Sequence, residues 1–392
     1  MFFDAKADSL PILLSALPEA TTTAPALATA PAKQALRHPD LPFVIGVDLG
    51  GTQTRAAVVR EHEIIARVSQ PTPAHDGPAA VIAGIVATIH AVLEMAEISI
   101  TSIRGIGIGA PGPLNPHTGV VYEAPNLHGW HNVPLRDEVA KSFTVPIYLG
   151  HDATVAALAE YRYGAGREAT DMVYMTVSTG IGGGIIIGGT IVEGEIGTAG
   201  EIGHIIIDLR RDAPRCGSGH IGCLEAIASG TALARDANAL IAAGQGQGIL
   251  AIHRELIATE AHGEQRTTAE AEAALANPLR ARDVVEAAHR GDVEAQTMLA
   301  DAATAIGIGC VNLVHSLNPA VIVIGGGVAH AADDLLFVPV RQTLTERAFA
   351  RPAAATQIVA AQLGNDVGLI GAAAFVDYQQ GFASSQRGPT TA

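Results

Sequence analysis

Lysine is nearly missing from this chain of 392 residues: Lys6, Lys33 and Lys141 are all it has. Acidic residues outnumber basic ones, 39 to 24, and the formal net charge is −15. Such a surface repels nucleic acid and anionic membranes, which argues against both as main partners. Cysteine is scarce as well. Cys216, Cys223 and Cys310 form a small, odd set that argues against a disulfide scaffold and fits a reducing cytoplasm. No run approaches the roughly 18 to 20 unbroken apolar residues of a membrane span. Apolar residues make up 48% of the chain, enough to give one large domain or two lobes an ample core.

The first 41 residues stand apart. MFFDAKADSLPILLSALPEA carries Asp4 and Asp8 in its leading segment, and Pro11 and Pro18 interrupt its apolar run. A secretory signal needs a net positive start and an unbroken apolar centre, so this reads as a non-signal. The Ala/Thr/Pro-rich TTTAPALATAPAKQALRHP that follows reads as a disordered extension or a mis-assigned start.

Order is expected to begin at FVIGVDLGGTQTRAAVVR, residues 43–60, as strand, glycine turn and strand, with EIIARVSQ at 63–70 as a third strand. AAVIAGIVATIHAVLEMAE at 79–97 has helical spacing, GIGIGAPG at 105–112 returns as a strand, and VPIYLGHD at 145–152 leads into the helix ATVAALAEYRYG. A second glycine hairpin, VYMTVSTGIGGGIIIGGTIVEG at 173–194, repeats the plan of the first. Further along come a helix over 222–241, a polar helical stretch near 262–290, and a long helical segment within 292–319. PAVIVIGGGVAH at 319–330 reads as a buried strand opening into a glycine turn, and GLIGAAAFVDYQ at 368–379 as an apolar helix.

Glycine turns after buried strands present backbone N–H groups and let a phosphate come close. In DLGGTQTR, Asp48 can hold Mg²⁺ through water, Gly50, Gly51 and Thr52 can face phosphate oxygens, and Arg55 supplies charge. STGIGGG, with Thr179, Gly180, Gly182 and Gly183, offers a second cradle, and Gly325, Gly326 and Gly327 a flat surface for a nucleoside. Any one of these is more simply a tight hairpin; three across the chain favour nucleotide binding. GIGAPG at 107–112 matches G-x-G-x-x-G, but Pro113 and Pro116 bar the helix a dinucleotide fold requires. There is no G-x-x-x-x-G-K-[ST], which excludes a P-loop enzyme.

Taken together, VDLGGTQTR, GAPGPLN, NLHGW, HDATVAALAE, STGIGGG, GTAGEIGH, GCLEAIASG and IGGGV resemble, in order and spacing, the ROK family of sugar kinases and sugar-responsive repressors. The bacterial glucokinases within it are the most similar branch, and the match runs from about residue 43 to 376. The resemblance implies an α/β fold of actin-like ATPase type: a hexokinase-type, RNase H-like, duplicated pair of lobes with an interlobe cleft. The expected organisation is a small lobe over 42–150 joined by the C-terminal helix 366–380, a large lobe over 151–365, and a flexible tail over 381–392. The implied activity is ATP-dependent phosphorylation of a hexose, glucose to glucose 6-phosphate first among the candidates. ATP with Mg²⁺, a cytoplasmic location and a homodimer or homotetramer go with it.

Phosphoryl transfer to a hydroxyl needs a carboxylate near the proton. Asp152 matches the family's catalytic aspartate; on residue type alone a helix N-cap explains it equally well. The resemblance puts Asn126, His151, Asp152, Glu201, His204 and Glu225 on the sugar. A solvent-facing loop is a serious alternative for Glu201. At 151 the family carries Asn, and His there alters the hydroxyl preference or leaves a sugar sensor with impaired catalysis. A regulator of this family also needs a helix-turn-helix, for which residues 1–41 are too short, too Pro/Thr-rich and too poor in basic residues. The family's zinc loop is C-x-C-G-x-x-G-C with a His. Here RCGSGHIGC supplies Cys216 and Cys223 with His204, but Ser218 stands at the middle Cys. A neutral hydroxyl is a poor zinc ligand, so zinc closed by His220 or water, zinc weakened and zinc lost all remain open.

Overall fold

The computed structural model describes residues 42–263 and 277–386. The expected extension over 1–41, the middle of the polar stretch near 262–290 and residues 387–392 of the expected tail lie outside them. Among the described residues the strands form two five-stranded sheets and one three-stranded sheet.

The first sheet grows from the opening meander: β1 (Phe43–Leu49), β2 (Gln53–Arg60) and β3 (Glu63–Pro71) pair antiparallel in sequence order. On the other side of β1, β4 (Ile103–Ala110) and then β8 (Ile147–His151) add in parallel. Central β1 is buried nearly throughout, as a strand covered on both faces must be. Edge strand β3 alternates exposed and half-buried residues. Between β4 and β8 come three short strands, β5 (Leu114–Asn115), β6 (Val120–Glu123) and β7 (His131–Val133), which make the small sheet.

The second large sheet repeats this plan. β9 (Met172–Val177), β10 (Ile181–Ile187) and β11 (Thr190–Ile191) form an antiparallel meander, and β12 (Val321–Gly325) and β13 (Gln357–Ala360) continue it in parallel beyond β9. Both sheets therefore run edge hairpin, centre, two parallel strands, the duplicated actin-like arrangement that the sequence implies.

Twelve helices in the described residues surround the sheets: α1 (Pro78–Ala96), α2 (Leu135–Ala140), α3 (Asp152–Tyr163), α4 (Leu224–Ala228), α5 (Gly230–Ala242) and α6 (Gln247–Gly263) in the first two thirds. α7 (Ala281–His289), α8 (Val293–Leu317), α9 (Gly327–Ala332), α10 (Asp334–Arg347), α11 (Ala350–Ala355) and α12 (Val367–Gln386) follow. α1 and α2 cover one face of the first sheet, burying Val81, Ile85, Ile89 and Leu135 against Ile45, Val47 and Ile106. α8 and α10 do the same for the second sheet, with Leu299, Ile306 and Phe337 on Val173, Met175 and Ile322.

The facing sides of the two sheets are covered crosswise. α3 follows the last strand of the first sheet but packs on β9 and β10, burying Val155, Leu158 and Tyr161 among Met172, Tyr174 and Ile186. α12 follows the last strand of the second sheet but packs on β1 and β4, where Leu369, Ala373 and Val376 meet Val44, Ala57 and Val59. The two helices also pack against each other, Gly371 lying against the backbone of Val155 with no room for a side chain. Each fully buried aliphatic side chain in these layers contributes roughly 1.5–3 kcal/mol.

Two local expectations change. The segment 222–241 is two helices, because Ser229 takes an extended backbone and its Oγ accepts the Ala232 N–H, ending α4 and capping α5. The C-terminal helix runs on to Gln386, so residues 381–386 belong to it rather than to a tail. Two helices, α1 and α8, are long and apolar enough by length and composition to cross a membrane. Both pack on the sheets, α8 in the core, and α1 keeps an exposed outer face.

Candidate functional site

A cleft of ≈ 840 Å³ opens where the turns at the ends of β1, β8, β9 and β12 converge. Of the residues singled out in the sequence, Asp48, Gly50, Gly51, Arg55, Asn126, His151, Asp152, Thr179, Gly180, Gly182, Glu201, His204, Cys216, Glu225, Gly325, Gly326 and Gly327 line it. Thr52 does not; it is exposed and stands outside the lining. Gly183 does not either. Neighbours along a strand point to opposite faces, and where Gly182 lies against Ala153 towards the cleft, Gly183 lies beneath Ile202. Cys223 and His220 also stand outside the lining.

At the β1 end, Asp48 is paired with Arg55 across the hairpin register, Nε donating to Oδ2 at 3.1 Å. Arg55 Nη1 also donates to the Asn365 carbonyl at 2.9 Å, which ties the hairpin to the loop before α12. Burial pushes the Asp48 carboxyl above its ordinary range, and the nearby Asp152 charge adds to the rise; Arg55 opposes both. The turn itself is held by the Gly50 N–H on the Gln53 carbonyl at 3.0 Å and by Thr72 Oγ1 donating to the Gly50 carbonyl at 2.8 Å. Asn126 stands directly over Gly51, where an added Cβ would sit 3.0 Å from its own. Its loop is anchored by Trp130, fully buried in the first core.

The second turn, Ser178–Gly180, is fixed by the start of α5: the Gly230 N–H donates to the Ser178 carbonyl at 2.7 Å, and the Thr231 N–H to the Thr179 carbonyl at 3.1 Å. Glu225, in the first turn of α4, reaches the same place, and its Oε2 accepts the Ile181 N–H at 3.0 Å. That leaves its other oxygen for a ligand. The third turn needs glycine: Gly326 has φ +93, and a Cβ there would come 2.5 Å from the Val177 carbonyl.

His151 ends β8 and Asp152 opens α3. By backbone geometry His151 is the N-cap residue, and Asp152 stands one place inside the helix. Asp152 Oδ1 accepts the Ala153 N–H at 2.6 Å, so one oxygen serves the helix start and Oδ2 is left to act on a ligand. The Asp152 side chain is 47% exposed, open to the cleft. Glu201 is half-exposed at the start of the short 3₁₀ turn Ile202–His204.

Below this end of the cleft, the donor atoms of His204, Cys216 and Cys223 lie within 4.8 Å of one another. Cys216 Sγ is 3.7 Å from His204 Nδ1 and 3.9 Å from His220 Nδ1. Tetrahedral zinc with ordinary Zn–S and Zn–N bonds sets such donors about 3.6 Å apart. A turn in which the Gly219 N–H meets the Cys216 carbonyl, and the Cys216 N–H the His220 carbonyl, both at 2.9 Å, brings His220 back beside Cys216. Three donors, His204, Cys216 and Cys223, are spaced as zinc requires, and His220 lies beside Cys216 but outside their group. Burial pushes the Cys223 thiol up to about 11.

Sequence reasoning missed several residues of the lining: Arg215, Arg235, His330, Asn365 and Gly368. Arg215 and Arg235 donate to the Gly219 and Ala226 carbonyls, at 2.8 and 2.9 Å. Gly368 abuts the Asp48 carboxylate, where a Cβ would lie 2.9 Å from Cγ. The one signal for it was the Gly-Asn-Asp turn at 364–366 before an apolar helix. A buried carboxylate also escaped notice: Glu160, with no exposed surface, accepts the N–H groups of Gln362, Leu363 and Ala165 at 2.8–2.9 Å and so fixes the loop leading to Asn365.

Comparison with known proteins accords with this geometry. A glucokinase of Halalkalibacterium halodurans is 37% identical over 343 residues, covering 86% of this chain and 96% of its own. Among solved structures, a ROK hexokinase of Thermus thermophilus matches with a TM-score of 0.66 and 32% identity over 87% of this chain and 99% of its own. A ROK glucokinase of Streptomyces griseus, solved with glucose and AMPPNP, matches with a TM-score of 0.68 and 33% identity, over 85% and 98% of the respective chains. The ROK family model itself covers residues 44–379, and the chain belongs to the ROK family.

Proposed function

We propose that this protein is an ATP-dependent glucokinase, converting glucose to glucose 6-phosphate with Asp152 as the base. The observation that carries the reading is the convergence of Asp152, Glu201, Glu225 and Asn126 with three glycine turns around one cleft. The sugar hydroxyl oxygen attacks the γ-phosphorus, the bond from that phosphorus to the β-phosphate oxygen breaks, and the hydroxyl proton passes to Asp152 Oδ2. Its companion Oδ1 stays on the Ala153 N–H, which keeps the acceptor oriented. Asn126, Glu201 and the free oxygen of Glu225 bind the remaining hydroxyls, and His151 and His204 stand beside them. A site that hydrogen-bonds each hydroxyl rejects analogues by factors of roughly 10⁴.

The turns at Gly50–Gly51 and Thr179–Gly180 take the phosphates, Arg55 supplies positive charge, and Gly325–Gly327 receive the nucleoside. Mg²⁺ accompanies ATP, with Asp48 placed to meet it through water. His204, Cys216 and Cys223 would hold zinc, and His220, with Nδ1 3.9 Å from Cys216 Sγ, would turn in to supply the fourth donor in place of the sulfur absent at Ser218. A metal held there would tie down the loop between Glu201 and Glu225. The enzyme is cytoplasmic and a homodimer or homotetramer.

The test is ADP release measured in a coupled assay over a panel of hexoses, with Asp152→Asn as control. Turnover strongest with glucose and lost in the variant is the expected result. Sugar binding without turnover in the wild type would instead make the protein a sensor.

A further inference from the structure

His151 stands where the family resemblance implies a neutral amide, and its surroundings give the change a consequence. Its Nε2 lies 3.5 Å from Asp152 Oδ1 and 3.9 Å from Glu201 Oε1. Both distances are too long for hydrogen bonds but within ion-pair range. The ring is largely buried, with 18% of its side chain exposed, and the Gly112 turn closes behind it: a Cβ on Gly112 would come 2.7 Å from His151 Cδ2. The imidazole therefore stays wedged between the expected base and one of the expected sugar ligands.

We propose that His151 is a positioning residue that couples the charge of its imidazole to the basicity of Asp152. The inference rests on the kinase reading above. The groups facing the ring settle the sign. Asp152 from α3 and Glu201 from the 200–204 loop both carry negative charge, and the Gly112 turn adds none. Farther along the cleft, Asp48 is already paired with Arg55, Glu225 is held by the Ile181 N–H, and His204 lies with the cysteines. The α3 N-terminus opposes an imidazolium, but its partial charge is about half of one unit against two full carboxylate charges. A charged ring attracts the Asp152 carboxylate and makes it a poorer proton acceptor; a neutral ring leaves it the stronger base. Histidine changes charge between pH 5 and 8, which an amide at this position cannot do.

The experiment measures kcat and the glucose KM from pH 5.5 to 8.5 for the wild type, His151→Asn and His151→Gln, at saturating ATP. The wild-type kcat should fall roughly tenfold between pH 8 and pH 6, with KM moving much less, while both variants stay within about twofold. A Glu201→Gln enzyme that keeps His151 loses one of the two carboxylates facing the ring, and its acid limb should be displaced to lower pH. That arm holds even if neither His151 variant folds. Superimposable profiles for the wild type and the His151 variants, or an unmoved limb in Glu201→Gln, overturn the role of His151 and leave the kinase reading intact. No ADP release by the wild type with any hexose at any pH overturns the kinase reading, and this inference with it.

Discussion

Asp152 does two things at once, and a pair of substitutions separates them. Asp152→Asn keeps an oxygen where Oδ1 accepts the Ala153 N–H, so the start of α3 keeps its 2.6 Å hydrogen bond. What it loses is an acceptor basic enough for the hydroxyl proton. General base catalysis is worth roughly 10²- to 10⁴-fold, and at 1.36 kcal/mol per tenfold that raises the barrier by about 2.7–5.4 kcal/mol. Asp152→Ala loses the same acceptor and the helix contact too, which costs stability by about 1 kcal/mol. Single-turnover phosphoryl transfer and thermal unfolding, measured on both variants, give the result. The expectation is a kcat drop of at least a hundredfold in both, with unfolding displaced only in Asp152→Ala. An Asp152→Asn enzyme retaining more than about a tenth of wild-type kcat would refute the base assignment and reduce Asp152 to a helix-start residue.

Three further outcomes are expected. Protein purified without added zinc should hold one zinc per chain by elemental analysis, lose it in Cys223→Ser, and hold it more weakly in His220→Ala; full retention in His220→Ala would exclude His220 as the fourth ligand. Glu160→Ala removes the buried carboxylate that accepts three N–H groups, and hydrogen bonds to a charged group contribute roughly 1.5–3 kcal/mol each, so calorimetry should record a fall in Tm of several degrees. For Asp48, the folded carboxyl titrates above its unfolded value, mainly through burial. Its penalty on stability is then absent in acid and grows as pH rises through the elevated range. The stability of the wild type relative to Asp48→Asn should therefore decline as pH rises above the ordinary carboxylate range in denaturant titrations.

How much of this the sequence revealed depends on whether the information was local. Both hairpins and the strand–helix junction at His151 and Asp152 were readable from contiguous motifs, whereas the grouping of His204 with Cys216 and Cys223 came only with the family resemblance. The orientation of Gly183 was not, because a run of three glycines does not say which faces the cleft; the pleat decides, and its phase is set by distant pairing with β9. Arg215 and Arg235 line the cleft only because α4 and the zinc-type loop fold back to it. Glu160 gave no signal at all. It reads as one more polar helical position until the loop at 362–363, some 200 residues later, supplies its donors.

The crossed helices carry a consequence for how the chain can be taken apart. Cut after residue 163, at the end of α3, the first piece keeps all five strands of its sheet but loses α12, and one face of that sheet is stripped. The second piece keeps its strands but loses α3, and the matching face is bare. Neither fragment is a self-sufficient domain, although each holds a complete copy of the repeated sheet plan. A gene encoding one repeat alone would need a second copy of itself to lend the missing helix, and in the present chain that loan has become permanent.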